Sequence, residues 1–171
     1  MYSLDYVGGF FDGEGCVGLY KQHRGNNFHL STQLTQNKSV EADKLFDYLV
    51  NKYGGSVGEQ ITSTQNIKLN WQVSGNNLEV FLRDLLPSTH YKRIQIMVAL
   101  FWLGRRPILK RGCNGRIVKH LKEWYEFSEK CSRLLMGLKK MDLKKVMDNQ
   151  KDLVDIVTEL RHLVAIKGLK K

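Results

Sequence analysis

Residues 6–15 read Y-V-G-G-F-F-D-G-E-G. They set an apolar, glycine-lipped helical turn directly against an acidic end, a combination that ordinary core packing does not require. A carboxylate fixed at the end of a tightly packed helix can hold a metal ion over a phosphate, so Glu14 is the first candidate catalytic residue. Leu4, Val7, Gly8, Phe10 and Phe11 recur at helical spacing, with Ser3 as an N-cap ahead of Asp5, and predict a short helix over 3–13.

Working outward, 16–22 reads as a strand, and a turn at 24–27 leads to a second strand over 28–35. There Phe28, Leu30, Thr32 and Leu34 alternate with His29, Ser31, Gln33 and Thr35, the period-two pattern of a sheet with one dry and one polar face. Ala42, Leu45, Phe46, Leu49 and Val50 mark an amphipathic helix over 40–53, ended by Gly54 and Gly55. A second hairpin follows over 56–62 and 67–74, the latter alternating Ile67, Leu69, Trp71 and Val73 against Lys68, Asn70 and Gln72. Helices over 77–85 and 91–103 flank Pro87. The order αββαββα predicts an α+β fold with an antiparallel four-stranded sheet. One domain is expected over 1–171, with its core at about 1–104, a basic glycine-rich loop over 105–116 and C-terminal helices over 117–171. Leu134, Leu135, Leu138, Met141 and Leu143 suggest one such helix, and Leu153, Ile156, Val157, Leu160, Leu163 and Val164 another. The acidic helix motif occurs once.

The formal charge is +10, unevenly spread. Residues 1–90 carry 7 Lys/Arg against 9 Asp/Glu, a net of −2, and residues 91–171 carry 20 against 8, a net of +12. Clustered Lys and Arg gain affinity for a polyanion by releasing its counterions, so a nucleic-acid partner is the economical reading beside that of a merely solvated basic face. Cys16, Cys113 and Cys131 lie far apart with no C-x-x-C spacing, and His23, His29, His90, His120 and His162 form no H-x-x-x-H pair. Neither a disulfide framework nor a zinc site is expected. No apolar run approaches membrane-spanning length, and no basic region followed by a long apolar core opens the chain. These features predict an intracellular protein with no membrane contact and no small-molecule cofactor.

The pattern V-G-G-F-F-D-G-E-G over 7–15 resembles the signature of the LAGLIDADG homing endonucleases, and the αββαββα order over about 4–103 is similar to that family's core. Val7 and Gly8 stand where the family pattern leads with Leu-Ala, which keeps a small residue at position 8. Gln36 at the end of the second strand and Lys92 shortly after Pro87 match two further family positions. The resemblance implies that Glu14 and the Gly13 carbonyl hold magnesium, or manganese in its place, that Lys92 supplies positive charge to the reacting phosphate and that Gln36 positions water. It implies that Asp12 points away from the metal and caps a partner's helix. The family's capping arginine has no clear counterpart in N-K-S-V-E-A-D-K over 37–44, where Lys38 is a weak candidate.

With one motif per chain, Gly8, Gly9 and Gly13 imply a homodimer whose first helices meet at backbone distance, with Asp12 at that interface. A curved sheet in the major groove of duplex DNA would read bases with Tyr20, Gln22 and Arg24, then Asn27, His29, Ser31 and Gln33, and Lys68, Asn70 and Gln72. The third strand offers Glu59, Gln60 and Thr62 in ambiguous phase. Phosphate attraction would come from Arg105, Arg106, Lys110, Arg111, Arg116 and the lysine-rich tail. The implied activity is hydrolysis of a long, near-palindromic site to leave 3′ overhangs. An RNA-binding intron maturase and a nuclease-dead DNA-binding regulator are the alternatives on the same fold. Either an organelle (chloroplast or mitochondrion) or a prokaryotic cytoplasm fits such a protein.

Overall fold

A computed structural model of the chain describes residues 1–22, 27–105 and 122–140. Ser3 caps the first helix as its chemistry predicts, its Oγ accepting from the Tyr6 N–H at 3.2 Å, and α1 runs Leu4–Glu14. Glu14 is thus the last helical residue. The chain turns straight into β1 (Gly15–Lys21) because Gly15 is buried against the ring of Phe11, where any Cβ would overlap it.

β2 (Phe28–Asn37) lies antiparallel to β1 with Gly15 opposite Leu34. Ser39 then caps α2 (Val40–Tyr53), its Oγ accepting from Ala42 N–H at 3.1 Å. Gly54 and Gly55 end that helix at φ +70° and +89°, a region side chains resist. β3 (Ser56–Ile61) and β4 (Ile67–Ser74) form the second hairpin, followed by α3 (Gly75–Leu85), a 3-10 turn (Leu86–Ser88), α4 (Arg93–Gly104) and α5 (Lys122–Lys140). The four strands form one antiparallel sheet in the order β1-β2-β4-β3.

The core lies between one face of this sheet and the helices. Its centre is Phe81 of α3, whose ring meets Trp71 at 4.9 Å, Tyr53 at 5.0 Å and Phe11 at 5.6 Å, each edge to face. Trp71 donates its indole N–H to the Gly54 carbonyl at 3.0 Å, so its buried polar atom is satisfied. Thr32, fully buried on the same face, donates to the Cys16 carbonyl at 2.8 Å. Burying each large apolar side chain here contributes roughly 1.5–3 kcal/mol.

Helix α5 covers the open edge of β1, which would otherwise present unpaired backbone groups. Ser132 donates to the Leu19 carbonyl at 2.6 Å, and Lys21 reaches the Tyr125 hydroxyl at 2.7 Å. Trp124, Phe127, Cys131 and Leu135 bury the inner face of α5, and Trp102 of α4 donates to Ser128 at 3.0 Å. The expected helical contacts of Met141 and Leu143, and the second C-terminal helix, lie outside the described residues. Among the described residues, no helix is long and apolar enough to cross a membrane.

Candidate active site and nucleic-acid face

The C-terminal end of α1 is held by residues that precede α4. Both carboxylate oxygens of Asp12 are occupied: Oδ2 accepts from His90 N–H at 2.7 Å and Oδ1 from Lys92 N–H at 2.9 Å. Asp12 therefore caps the entry of α4 in its own chain, where the resemblance has it cap a partner's helix. The reason is topological, since the 3-10 turn brings residues 88–92 back against α1, a contact at a sequence separation of 78–80.

Lys92 completes that clasp. Its ammonium donates to the Asp12 carbonyl and lies 3.4 Å from the Gly13 carbonyl, at the negative end of the helix dipole. Half-burial of the side chain pushes its pKa below the usual lysine value, with Asp12, Cys16 and Glu14 pulling it partly back. Glu14 itself is exposed beside it. The structure thus brings Glu14, the Gly13 carbonyl and Lys92 together.

Gln36 stands apart from them. At 100° per residue, Gly8 and Asp12 lie on one side of α1, Tyr6 and Phe10 on another, and Gly9 and Gly13 between. Gln36 lines a cleft with Tyr6, Phe10, Lys38 and Ser39, and its side-chain oxygen accepts from Asn37 N–H at 2.8 Å. No hydrogen bond joins it to Glu14 or Lys92 among the described residues. Lys38 pairs with Glu59 rather than with the Glu14 group.

The glycines divide by role. A Cβ on Gly8 would run into the Ser88 carbonyl of the same chain, so its smallness serves an internal contact. Gly9 and Gly13 have open space where their side chains would stand.

The strand register settles which side chains share a face. Tyr20 pairs with His29, Cys16 with Gln33, Gln33 with Gln72 and Thr35 with Asn70, while Asn37 pairs with Lys68. Tyr20, His29, Gln33, Lys68, Asn70 and Gln72 therefore point away from the core together, as the alternation predicts. In β3, Ser56, Gly58 and Gln60 join them, and Glu59 faces the other way. Ser31 belongs to this face by register but is 3% exposed, so its hydroxyl is withdrawn from the surface that the sequence assigned to it. Gln22 and Asn27 follow β1 and precede β2, the Gln22 N–H donating to the Asn27 carbonyl at 2.9 Å. Arg105, expected to attract phosphate, caps the end of α4 with its guanidinium 4.4 Å from the Phe101 ring centroid. Arg24, Arg106, Lys110, Arg111 and Arg116 lie outside the described residues.

One member of this face escaped the sequence reading. Lys139 of α5 donates to the Tyr20 hydroxyl at 3.2 Å, with its ammonium 5.3 Å from the ring centroid. The available signal was Gly18, a glycine inside a strand, which marks a close approach by another group. Here that group is the Tyr20 ring, folded back over position 18.

A divalent cation of the magnesium type suits what is present. Such an ion binds through one or two carboxylates and takes its remaining oxygens from water and phosphate. Glu14 and the Gly13 carbonyl are oxygen donors of that kind, whereas no group of three or more His, Cys, Asp or Glu side chains is arranged around an ion among the described residues.

Three solved structures share this architecture. The homing endonuclease I-CvuI, in complex with the I-CreI target in 2 mM Mg with its DNA not cleaved, superposes at a TM-score of 0.59 with 15% identity, over 81% of this chain and 83% of that one. The archaeal intron-encoded homing endonuclease I-Vdi141I, complexed with DNA, gives 0.53 with 19% identity over 88% and 96%. The LAGLIDADG meganuclease I-CpaMI, bound to uncleaved DNA, gives 0.50 with 15% identity over 90% of this chain and 50% of that one. No family model and no curated protein matches the sequence. The chain has the LAGLIDADG homing-endonuclease fold that its motif predicts.

Proposed function

We propose that this chain, with its LAGLIDADG homing-endonuclease fold, is a site-specific double-strand DNA endonuclease that acts as a homodimer and uses magnesium or manganese. The observation that carries the reading is the convergence of Glu14, the Gly13 carbonyl and Lys92 at the end of α1, from which β1 leads directly into the polar face of the sheet. The DNA complexes of I-CvuI and I-Vdi141I support duplex DNA as the partner.

In this reading the polar face lies in the major groove, and Gln33, Lys68, Asn70 and Gln72 meet base edges. Because β1 starts where α1 ends, docking the sheet carries the end of α1 toward the backbone. Lys92 puts a cation at the phosphate from a half-buried position, where charge is less screened than in water. Glu14 and the Gly13 carbonyl hold the divalent ion, which when bound offsets charge on the phosphate and the leaving oxygen.

A second copy meets the first across the open stripe of Gly9 and Gly13, placing one Glu14 by each strand about a twofold axis. Two copies then read a long, near-palindromic site and leave 3′ overhangs. The chain spans 50% of I-CpaMI, which accords with two copies of this unit making up that length.

The test begins with duplexes selected from a random library by binding to the full-length protein. With magnesium, the wild type should cut them and Glu14→Gln should not, while binding is retained. Cutting at undiminished rate by Glu14→Gln would remove the assignment.

A further inference from the structure

Tyr20 is 46% exposed on the polar face, between the base-reading positions of β2 and the edge that α5 covers. Its ring does not stand upright from the sheet. It lies back over Gly18, where even a methyl group would collide with the phenol. The hydroxyl so placed accepts from the Lys139 ammonium at 3.2 Å.

An ammonium has three donors and no acceptor, so it takes a lone pair of the phenolic oxygen and leaves the phenol's own O–H free. We propose that Lys139 fixes Tyr20 as a donor to the major groove, which makes Tyr20 a specificity-determining residue for a base-edge acceptor. Guanine O6 or N7, adenine N7 and thymine O4 satisfy such a donor. Cytosine presents only its N4 amino group there and does not. A tyrosine without this neighbour could present either its donor or its acceptor and would discriminate little.

The charge of Lys139 is secure. Burial works to lower its pKa, and hydrogen bonds to Cys16 and Tyr20 outweigh that effect, leaving it above the usual lysine value. The ammonium therefore persists across neutral pH, and the polarity of Tyr20 with it. Positioning, rather than contact with DNA, is the role assigned to Lys139.

This inference rests on the DNA-reading proposal above, and binding selections separate the two. The background is Glu14→Gln, so that bound duplex is not consumed. Selection from a random duplex library should show one base pair per half-site at which cytosine is excluded from the strand that Tyr20 reads. Lys139→Met should admit cytosine at that pair, a relaxation of roughly fivefold, with other positions unchanged. Tyr20→Phe should relax the same pair, and Lys139→Arg, which still donates, should keep the exclusion. A uniform loss of affinity in Lys139→Met with all preferences intact would overturn the proposal and make Lys139 a phosphate contact. An absence of any sequence preference in the parent protein would instead overturn the DNA-reading premise, and the inference with it.

Discussion

Asp12 and Lys92 hold each other twice: the Asp12 carboxylate accepts from the Lys92 backbone N–H at 2.9 Å, and the Lys92 ammonium donates to the Asp12 backbone carbonyl. Each residue therefore fixes the other's helix end. The negative end of α1 is met by a cation, and the entry of α4 by a carboxylate, so both helix dipoles are answered by one pair.

Removing the carboxylate should loosen this junction before it touches chemistry. Asp12→Ala leaves the N–H groups of His90 and Lys92 without their acceptors, a loss of about 1–3 kcal/mol. Asp12→Asn keeps one good acceptor and should lose less. Urea unfolding monitored by far-UV circular dichroism measures both. Equal stability of wild type and Asp12→Ala would show that the clasp does not form in solution.

Lys92 should give a pH signature of definite sign. Its folded pKa lies below the usual 10.5, so below the folded value both folded and unfolded states carry the proton and the burial penalty is fully present. Between the folded value and 10.5 the native state has released a proton that the unfolded state retains, and stability rises with pH across that window. Lys92→Met should lack this rise, which the difference between the two proteins' urea midpoints against pH isolates. Cleavage should fall on the alkaline side beginning below pH 10.5, because the useful form is the cation. Lys92→Arg, charged throughout, should flatten that limb. An unshifted alkaline limb in Lys92→Arg would remove Lys92 from the chemistry.

Much of this was legible from periodicity. The alternation over 28–35 placed His29 and Gln33 opposite Leu30 and Leu34, and the register confirms the two faces. Ser3, Gly54 and Gly55 marked helix ends through local chemistry that needs no distant partner. What escaped were contacts between residues far apart in the chain. Ser88 against Gly8, His90 on Asp12 and Ser132 on the Leu19 carbonyl leave no trace in a local pattern. Ser31 was misjudged for a related reason, since alternation gives the face on which a side chain stands but not whether neighbours cover it.

Gly8 and Gly9 are adjacent in sequence and should respond oppositely to one methyl group. Gly8→Ala sets a Cβ into the Ser88 backbone, which cannot retreat as a flexible side chain can, and should cost about 1–3 kcal/mol. Gly9→Ala meets nothing within 4 Å in the same chain, and replacing a helical glycine by alanine should stabilise the isolated subunit by roughly 0.5–1 kcal/mol. If a second copy packs on the Gly9–Gly13 stripe, that same methyl group separates the two helices, and self-association should weaken as subunit stability improves. Sedimentation across a concentration series, run beside urea unfolding at concentrations low enough to populate the monomer, reads the two effects independently. Gly9→Ala that is more stable and associates as tightly as the wild type would place the dimer contact elsewhere on the surface.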